Sequence, residues 1–180
     1  VCTVGESLEP VAIGRLERWV GDKAIAEGWT SVPYIERAPF RVGIVGYGVC
    51  RFGAAFGFQD HPNVQVVAVS DLFADRRDAL AKACRCGKTY ESLEVLVKDP
   101  AIEAVFVATD APSHARHCIE ALKRGKHVAT AVPAVWGSLE DAHQLYETVK
   151  SSGRKYMMFE TSCFHEDLHA MREIYRAGGF

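Results

Sequence analysis

Five short apolar runs, most of them rich in valine, constrain this chain more than any other feature. They are "RVGIVG" (41–46), "VQVVAV" (64–69), "AVFVA" (104–108), "HVATAV" (127–132) and "KYMMF" (155–159). None alternates cleanly between apolar and polar positions, as expected of strands covered on both faces. Segments of helical spacing lie between them. His114–Arg124 puts Ala115, Cys118, Ile119 and Leu122 on one face, and Leu139–Lys150 does the same with Leu139, Ala142, Tyr146 and Val149. Ser138 suits an N-cap, and Gly125 and Gly153 stand where a helix should end. Strands alternating with helices predict an α/β fold with a doubly wound, mostly parallel sheet of the Rossmann type.

Residues 1–39 follow another pattern. Leu8, Val11, Ala12, Leu16 and Trp19 have helical spacing, interrupted by Gly14, Gly21 and Gly28 and closed by Pro33 and Pro39. We read 1–39 as an N-terminal helical arm and 40–180 as the main domain. "FHEDLHAMREIYRAGGF" reads as a last helix with Leu168, Met171 and Tyr175 on one face. Its Gly178-Gly179 turn suggests the threshold of a second domain that the chain does not reach.

Composition excludes several function classes. The formal charge of -2 and the lack of a basic run argue against nucleic acid. No apolar run reaches the ~18 residues of a membrane span, and no signal peptide is visible. The six cysteines, Cys2, Cys50, Cys84, Cys86, Cys118 and Cys163, are scattered and read as packing residues. A reducing, cytoplasmic setting fits them.

The strongest chemical signal is "GIVGYGVCRFG" (43–53). Gly46-x-Gly48 follows a strand and opens a helix. The first glycine allows the tight turn, and the second lets backbone approach a pyrophosphate at the helix N-terminus. Arg51 stands at the third fingerprint position, and Gly53 comes two residues late. "VVAVSD" then ends a second strand at Asp71, about 20 residues past Arg51, where an acid accepts from an adenosine ribose. Gly46, Tyr47, Gly48, Val49, Cys50, Arg51 and Asp71 are therefore candidate dinucleotide contacts. Asp71 favours NAD, while Arg76 and Arg77 keep NADP open. "ATDAPSHARHC" (108–118) adds Thr109, Asp110, Pro112 and His114 at the sheet's ligand edge, with Ser113 as the expected helix cap.

Two other strings are weaker. "HEDLH" (165–169) matches H-E-x-x-H, but Glu173 has the wrong spacing for a third ligand, so no metal site is expected. "CRC" (84–86) is not a zinc-knuckle spacing.

Taken together, strand-GxG-helix, "VVAVSD", "VFVATDAPSHARHCIEALKRGKHV" and a strand ending in x-x-Pro resemble the Gfo/Idh/MocA family of glucose-fructose oxidoreductase and inositol dehydrogenase. The resemblance covers residues 40 to 180, the cofactor domain of such a protein. It implies an NAD(P)-dependent oxidoreductase passing a hydride to or from a sugar, polyol or related hydroxyl compound. It also implies a C-terminal α/β domain and, in the full-length form, a homo-oligomer. In that family the strand after "GKHV" usually ends in Glu-Lys-Pro, and the lysine helps move the substrate's proton. Here Ala131, Val132 and Pro133 stand there. Ala131 and Pro133 join the expected cofactor contacts, but Val132 cannot carry a proton. His114 is then the one nominated catalytic residue. Two alternatives stay open: a dinucleotide-binding protein without turnover, and a scaffold or assembly protein without cofactor.

Overall fold

The computed structural model describes residues 23, 26–27, 38–48, 51–159 and 166–179. The chain divides into two compact units, Val1–Arg37 and Ala38–Phe180. In the first, Glu27 N donates to Lys23 O at 2.9 Å, one turn of helix. Most of the expected arm lies outside the described residues, as do Cys2, Val49, Cys50, Cys163 and His165.

The second unit is a six-stranded, all-parallel sheet in the order β3-β2-β1-β4-β5-β6. The strands are β1 (Phe40–Val45), β2 (Val64–Ser70), β3 (Thr89–Tyr90), β4 (Ala104–Val107), β5 (His127–Thr130) and β6 (Tyr156–Met158). The helices are α1 (Phe52–Ala55), α2 (Ala74–Ala83), α3 (Leu93–Leu96), α4 (Ala111–Lys123), α5 (Leu139–Ser152) and α6 (Glu166–Arg176). This order reverses between β1 and β4, which opens a crevice at the carboxyl ends of those strands.

The continuous valine runs are explained by burial on both faces. Along β4, Val105 and Val107 enter a core shared with Leu96, Cys118 and Leu122. Phe106, between them, enters the opposite core with Ile44, Val69 and Leu80. Two elements carry no periodic signal of their own. The two-residue β3 has no apolar run, and the four-residue α3 is too short to show a helical period. Both are fixed by packing at the sheet's edge and over its face.

The glycine turn does not open a long helix. Among the described residues, the crossover from β1 to β2 holds only the four-residue α1 and a 3-10 turn at Phe58–Asp60. Gly53 and Gly57 weaken helix here. The segment is held by aromatic packing instead. Phe56 and Phe58 each lie edge-on to Phe106 and Phe159, with ring centroids 4.9–5.8 Å apart.

Helix α4 begins at Ala111, three residues earlier than its spacing suggests, because Pro112 in the first turn has no N–H to satisfy. The N-cap position is therefore taken by Asp110. Ser113 lies inside the helix, and its hydroxyl donates to Asp110 Oδ2 at 2.9 Å. At α5, Ser138 caps as expected, accepting from Asp141 N at 3.1 Å.

At the opposite end of the sheet, Lys126 is only 7% exposed. Its ammonium donates to Asp99 O at 2.7 Å and Ile102 O at 2.8 Å, tying the approach to β4 against the start of β5. Lys126→Met keeps the stem and orphans Ile102 O, while Asp99 O keeps the Ile102 N–H at 3.3 Å. At ~1–3 kcal/mol per unsatisfied buried group, urea denaturation is expected to show a loss of about 1–3 kcal/mol.

Acid stability has a readable window. Asp99 accepts from Lys88, Ala101 N and Tyr90, and these bonds, led by Lys88, hold its carboxyl near a pKa of about 2. Burial works to raise the pKa of Glu94. It is outweighed by hydrogen bonds from the residue's own N–H, Ser92 and Arg116, which bring it down to about 2. Both folded values lie below the unfolded ones of 3.8 and 4.5. The folded state therefore binds fewer protons between these limits. Stability is full above about pH 4.5 and falls as pH drops towards 2. Calorimetry across that range should show a declining melting temperature, with a shallower decline in Asp99→Asn.

Candidate active site

A cleft of about 610 Å³ opens at the carboxyl edge of the sheet, at the β1–β4 switch point. Of the residues singled out in the sequence, Gly46, Gly48, Asp71, Arg76, Thr109, Asp110, His114 and Ala131 line it. Tyr47 and Pro133 act at its margin through backbone atoms. Arg51 and Pro112 are not among the lining residues, and Val49 and Cys50 lie outside the described residues.

The glycine turn is shaped by close approach. Gly46 has a φ of 93°, and a Cβ there would sit 2.4 Å from Ala108 O and 3.0 Å from Thr109 N. Only glycine lets the β1 turn pass so near the end of β4. Arg51, at the third fingerprint position, has a left-handed backbone (φ 58°) just before α1. The close-packing role falls instead to Gly53, where a Cβ would lie 2.1 Å from Gly46 O. The tight glycine contact is thus shifted by two residues from the third fingerprint position.

Asp71 is fixed by the backbone. Its Oδ2 accepts from Tyr47 N at 2.9 Å and its Oδ1 from Phe73 N at 3.0 Å. One carboxylate therefore pins both the glycine turn and the exit of β2. Each oxygen keeps a further lone pair. Beside it Arg76 stacks over the exposed Phe73 ring at 4.6 Å, while Arg77 donates to the Asp71 carbonyl at 3.0 Å.

His114 is 1% exposed. Its Nδ1 lies 3.4 Å from Pro133 O, and its Nε2 is buried without a partner among the described residues. Since a carbonyl only accepts, Nδ1 donates to it; in the neutral tautomer this leaves the lone pair on Nε2. His114 therefore supports the turn after β5 rather than standing in solvent. Beyond it, Val132 is 40% exposed and lines the cleft.

Sequence reading missed a second polar set on the same cleft: Ser92, Glu94, Arg116 and His117. Glu94 and Ser92 follow β3, which has no apolar run to announce it. His117 is one turn beyond His114, and its period alone reads as core. Among the described residues, no group of three His, Cys, Asp or Glu is placed to hold a metal, and no helix is long and apolar enough to cross a membrane.

The Gfo/Idh/MocA family, described as an oxidoreductase family with an NAD-binding Rossmann fold, matches residues 40–160. This chain belongs to that family. Among its relatives, glycosyl hydrolase family 109 protein 1 of Bacteroides fragilis is 30% identical over 135 residues, covering 70% of this chain and 29% of the relative. The 1,5-anhydro-D-fructose reductase of Ensifer adhaerens is 34% identical over 113 residues, covering 63% and 34%. In fold, the domain is similar to Synechocystis biliverdin reductase, solved with biliverdin and NADP+. The TM-score is 0.67 at 24% identity, covering 76% of this chain and 42% of that one. The chain thus spans about a third of the length of the two relatives and 42% of the biliverdin reductase.

The cleft fits the dinucleotide that the family's Rossmann domain carries. Its volume is in the range of cofactor sites, and open space surrounds Gly48, where a Cβ would meet nothing within 4 Å. Asp71 supplies fixed acceptors, and Arg76 and Phe73 form a flat cation–aromatic pair beside them.

Proposed function

We propose that the cleft holds a nicotinamide dinucleotide, NAD in preference to NADP, as the cofactor half of an oxidoreductase for a sugar, polyol or related hydroxyl compound. The observation carrying this reading is the Asp71 carboxylate, held by Tyr47 N and Phe73 N beside the glycine turn. So placed, it accepts from ribose hydroxyls and repels a 2′-phosphate. Gly46, Gly48, Thr109 and Asp110 would line the diphosphate, and Ala131 and the Pro133 turn the far end. When bound, the nicotinamide supplies or accepts the hydride. A carbohydrate substrate is supported by the two relatives, which are named for a glycosyl hydrolase and an anhydrofructose reductase.

Val132 favours a second reading, binding without turnover by these 180 residues. Its side chain lines the cleft and can neither hold nor move a proton. A placed acid or base is worth ~10²–10⁴-fold in rate. His114 would serve as that base only where a substrate hydroxyl reaches its enclosed Nε2.

Fluorescence titration with NADH and NADPH tests the cofactor assignment. NADH is expected to bind tighter, by about tenfold or more for one unfavourable charge contact. Equal or tighter NADPH binding would overturn it, and no binding of either would leave the scaffold reading. NADH production from polyols or sugars above background, lost in His114→Ala, would make His114 the base.

A further inference from the structure

The cleft wall built by α3 and α4 carries a chain of hydrogen bonds whose direction can be read. Glu94 Oε1 accepts from Arg116 Nη1 at 2.7 Å. Arg116 Nη2 lies 2.9 Å from His117 Nε2, and His117 Nδ1 lies 2.9 Å from Thr109 Oγ1. A guanidinium can only donate, so His117 Nε2 must carry the lone pair and Nδ1 the proton. That proton goes to Thr109 Oγ1. The hydroxyl has then spent a lone pair on His117 and keeps its own proton to give. Among the described residues Thr109 Oγ1 has no other partner.

The groups around His117 act in both directions: burial, Arg116 and His114 favour the neutral ring, while Asp110 and Glu94, whose Oε1 is 4.0 Å from Nε2, favour the charged one. Arg116 and His114 lie on its own helix, Asp110 at that helix's N-cap, and Glu94 comes from α3. Burial, then the Arg116 charge, push its pKa below the ordinary value, so the ring is neutral at neutral pH. Glu94 in turn keeps Arg116 from rotating away.

Thr109 stands where a donor is needed. Its backbone N passes 3.0 Å from where a Gly46 Cβ would be, so it adjoins the turn that a diphosphate approaches. The helix following that turn has only four residues, and a single turn offers little dipole to an anion.

We propose that His117 is a positioning residue for dinucleotide binding: with Arg116 and Glu94 it sets the Thr109 hydroxyl as a donor to a diphosphate oxygen. This rests on the reading of the cleft as a dinucleotide site. It predicts the Nδ1–H tautomer of His117, the minor form of free histidine in water, visible in ring ¹⁵N shifts of the wild-type chain.

The functional test is a double-mutant cycle on affinity for NADH, ADP and adenosine. Thr109→Val is expected to weaken NADH and ADP by about tenfold, the usual worth of a hydrogen bond to a charged group, and adenosine not at all. His117→Leu should weaken NADH by a smaller factor, and adding it to Thr109→Val should cost nothing further. His117→Asn keeps a donor near the Nδ1 position and should recover most of the affinity. An Nε2–H tautomer, additive losses in the cycle, or an equal loss with adenosine would each overturn the proposal. If the wild type binds neither NADH nor NADPH, the cofactor reading falls first and this inference falls with it.

Discussion

Gly53→Ala is expected to destabilise the domain by about 3 kcal/mol, the upper end for overpacking a tight contact, and to abolish measurable NADH binding. The new methyl would meet a backbone oxygen, Gly46 O at 2.1 Å, and then Gly46 C at 3.1 Å. No side chain can rotate to relieve that contact. The glycine turn would have to lift away from its neighbours on both sides, where Gly46 N is anchored to Ser70 O at the end of β2 at 2.8 Å and Ala108 N, just past β4, to Val45 O at 2.7 Å. Urea denaturation and NADH fluorescence read the two effects. Arg51→Gly is the natural contrast. A literal reading of the fingerprint makes position 51 the sensitive one. The structure makes this change neutral or stabilising by up to about 1 kcal/mol, because a left-handed backbone suits glycine better than arginine. Tolerance of Gly53→Ala, with loss of function in Arg51→Gly, would reverse the assignment.

Asp71→Asn is expected to weaken NADH binding by about a hundredfold, of the order of 2–3 kcal/mol, by removing a charged acceptor. It should also erase the preference for NADH over NADPH. The substitution is nearly isosteric, so packing changes little. However, an amide has one acceptor oxygen where the carboxylate has two. The Tyr47 N–H and Phe73 N–H cannot both be satisfied, and one of them would face the amide NH₂. The glycine turn and the exit of β2 would come apart, at about 1–3 kcal/mol of stability for the unsatisfied group. The relative gain of NADPH separates the two roles. A purely structural clamp would weaken both cofactors equally, whereas a ribose-facing carboxylate penalises the 2′-phosphate selectively. Unchanged NADH affinity in Asp71→Asn would refute the ribose role.

How much of this was legible in the sequence differs from element to element. The strands β1, β2, β4 and β5 announce themselves because burial on both faces demands uninterrupted valine, isoleucine and alanine. Helix α4 is legible because it buries one face on the sheet, and the 3.6-residue period records it; in α5 the expected face is corrected, since Leu139 and Tyr146 are exposed and Leu145 and Thr148 are the buried pair. Composition and period together fixed a parallel α/β fold. The order of motifs from the glycine turn to Asp71, and on to the "GKHV" strand, fixed the family.

What the tertiary structure decided was which atoms meet. That Gly53 rather than position 51 packs against the turn depends on a crossover shortened by aromatic anchoring, which no local spacing records. Whether His114 stands in solvent or under Pro133 depends on a loop 19 residues away. Glu94 reaches Arg116 and His117 only because the sheet brings α3 beside α4, so the relay joins residues up to 22 positions apart. Local sequence encodes backbone preference and burial, and those suffice for the fold. Hydrogen-bond direction, the tautomer of a buried histidine and the commitment of a carboxylate to two backbone N–H groups are properties of packed neighbours. They exist only once the chain has folded.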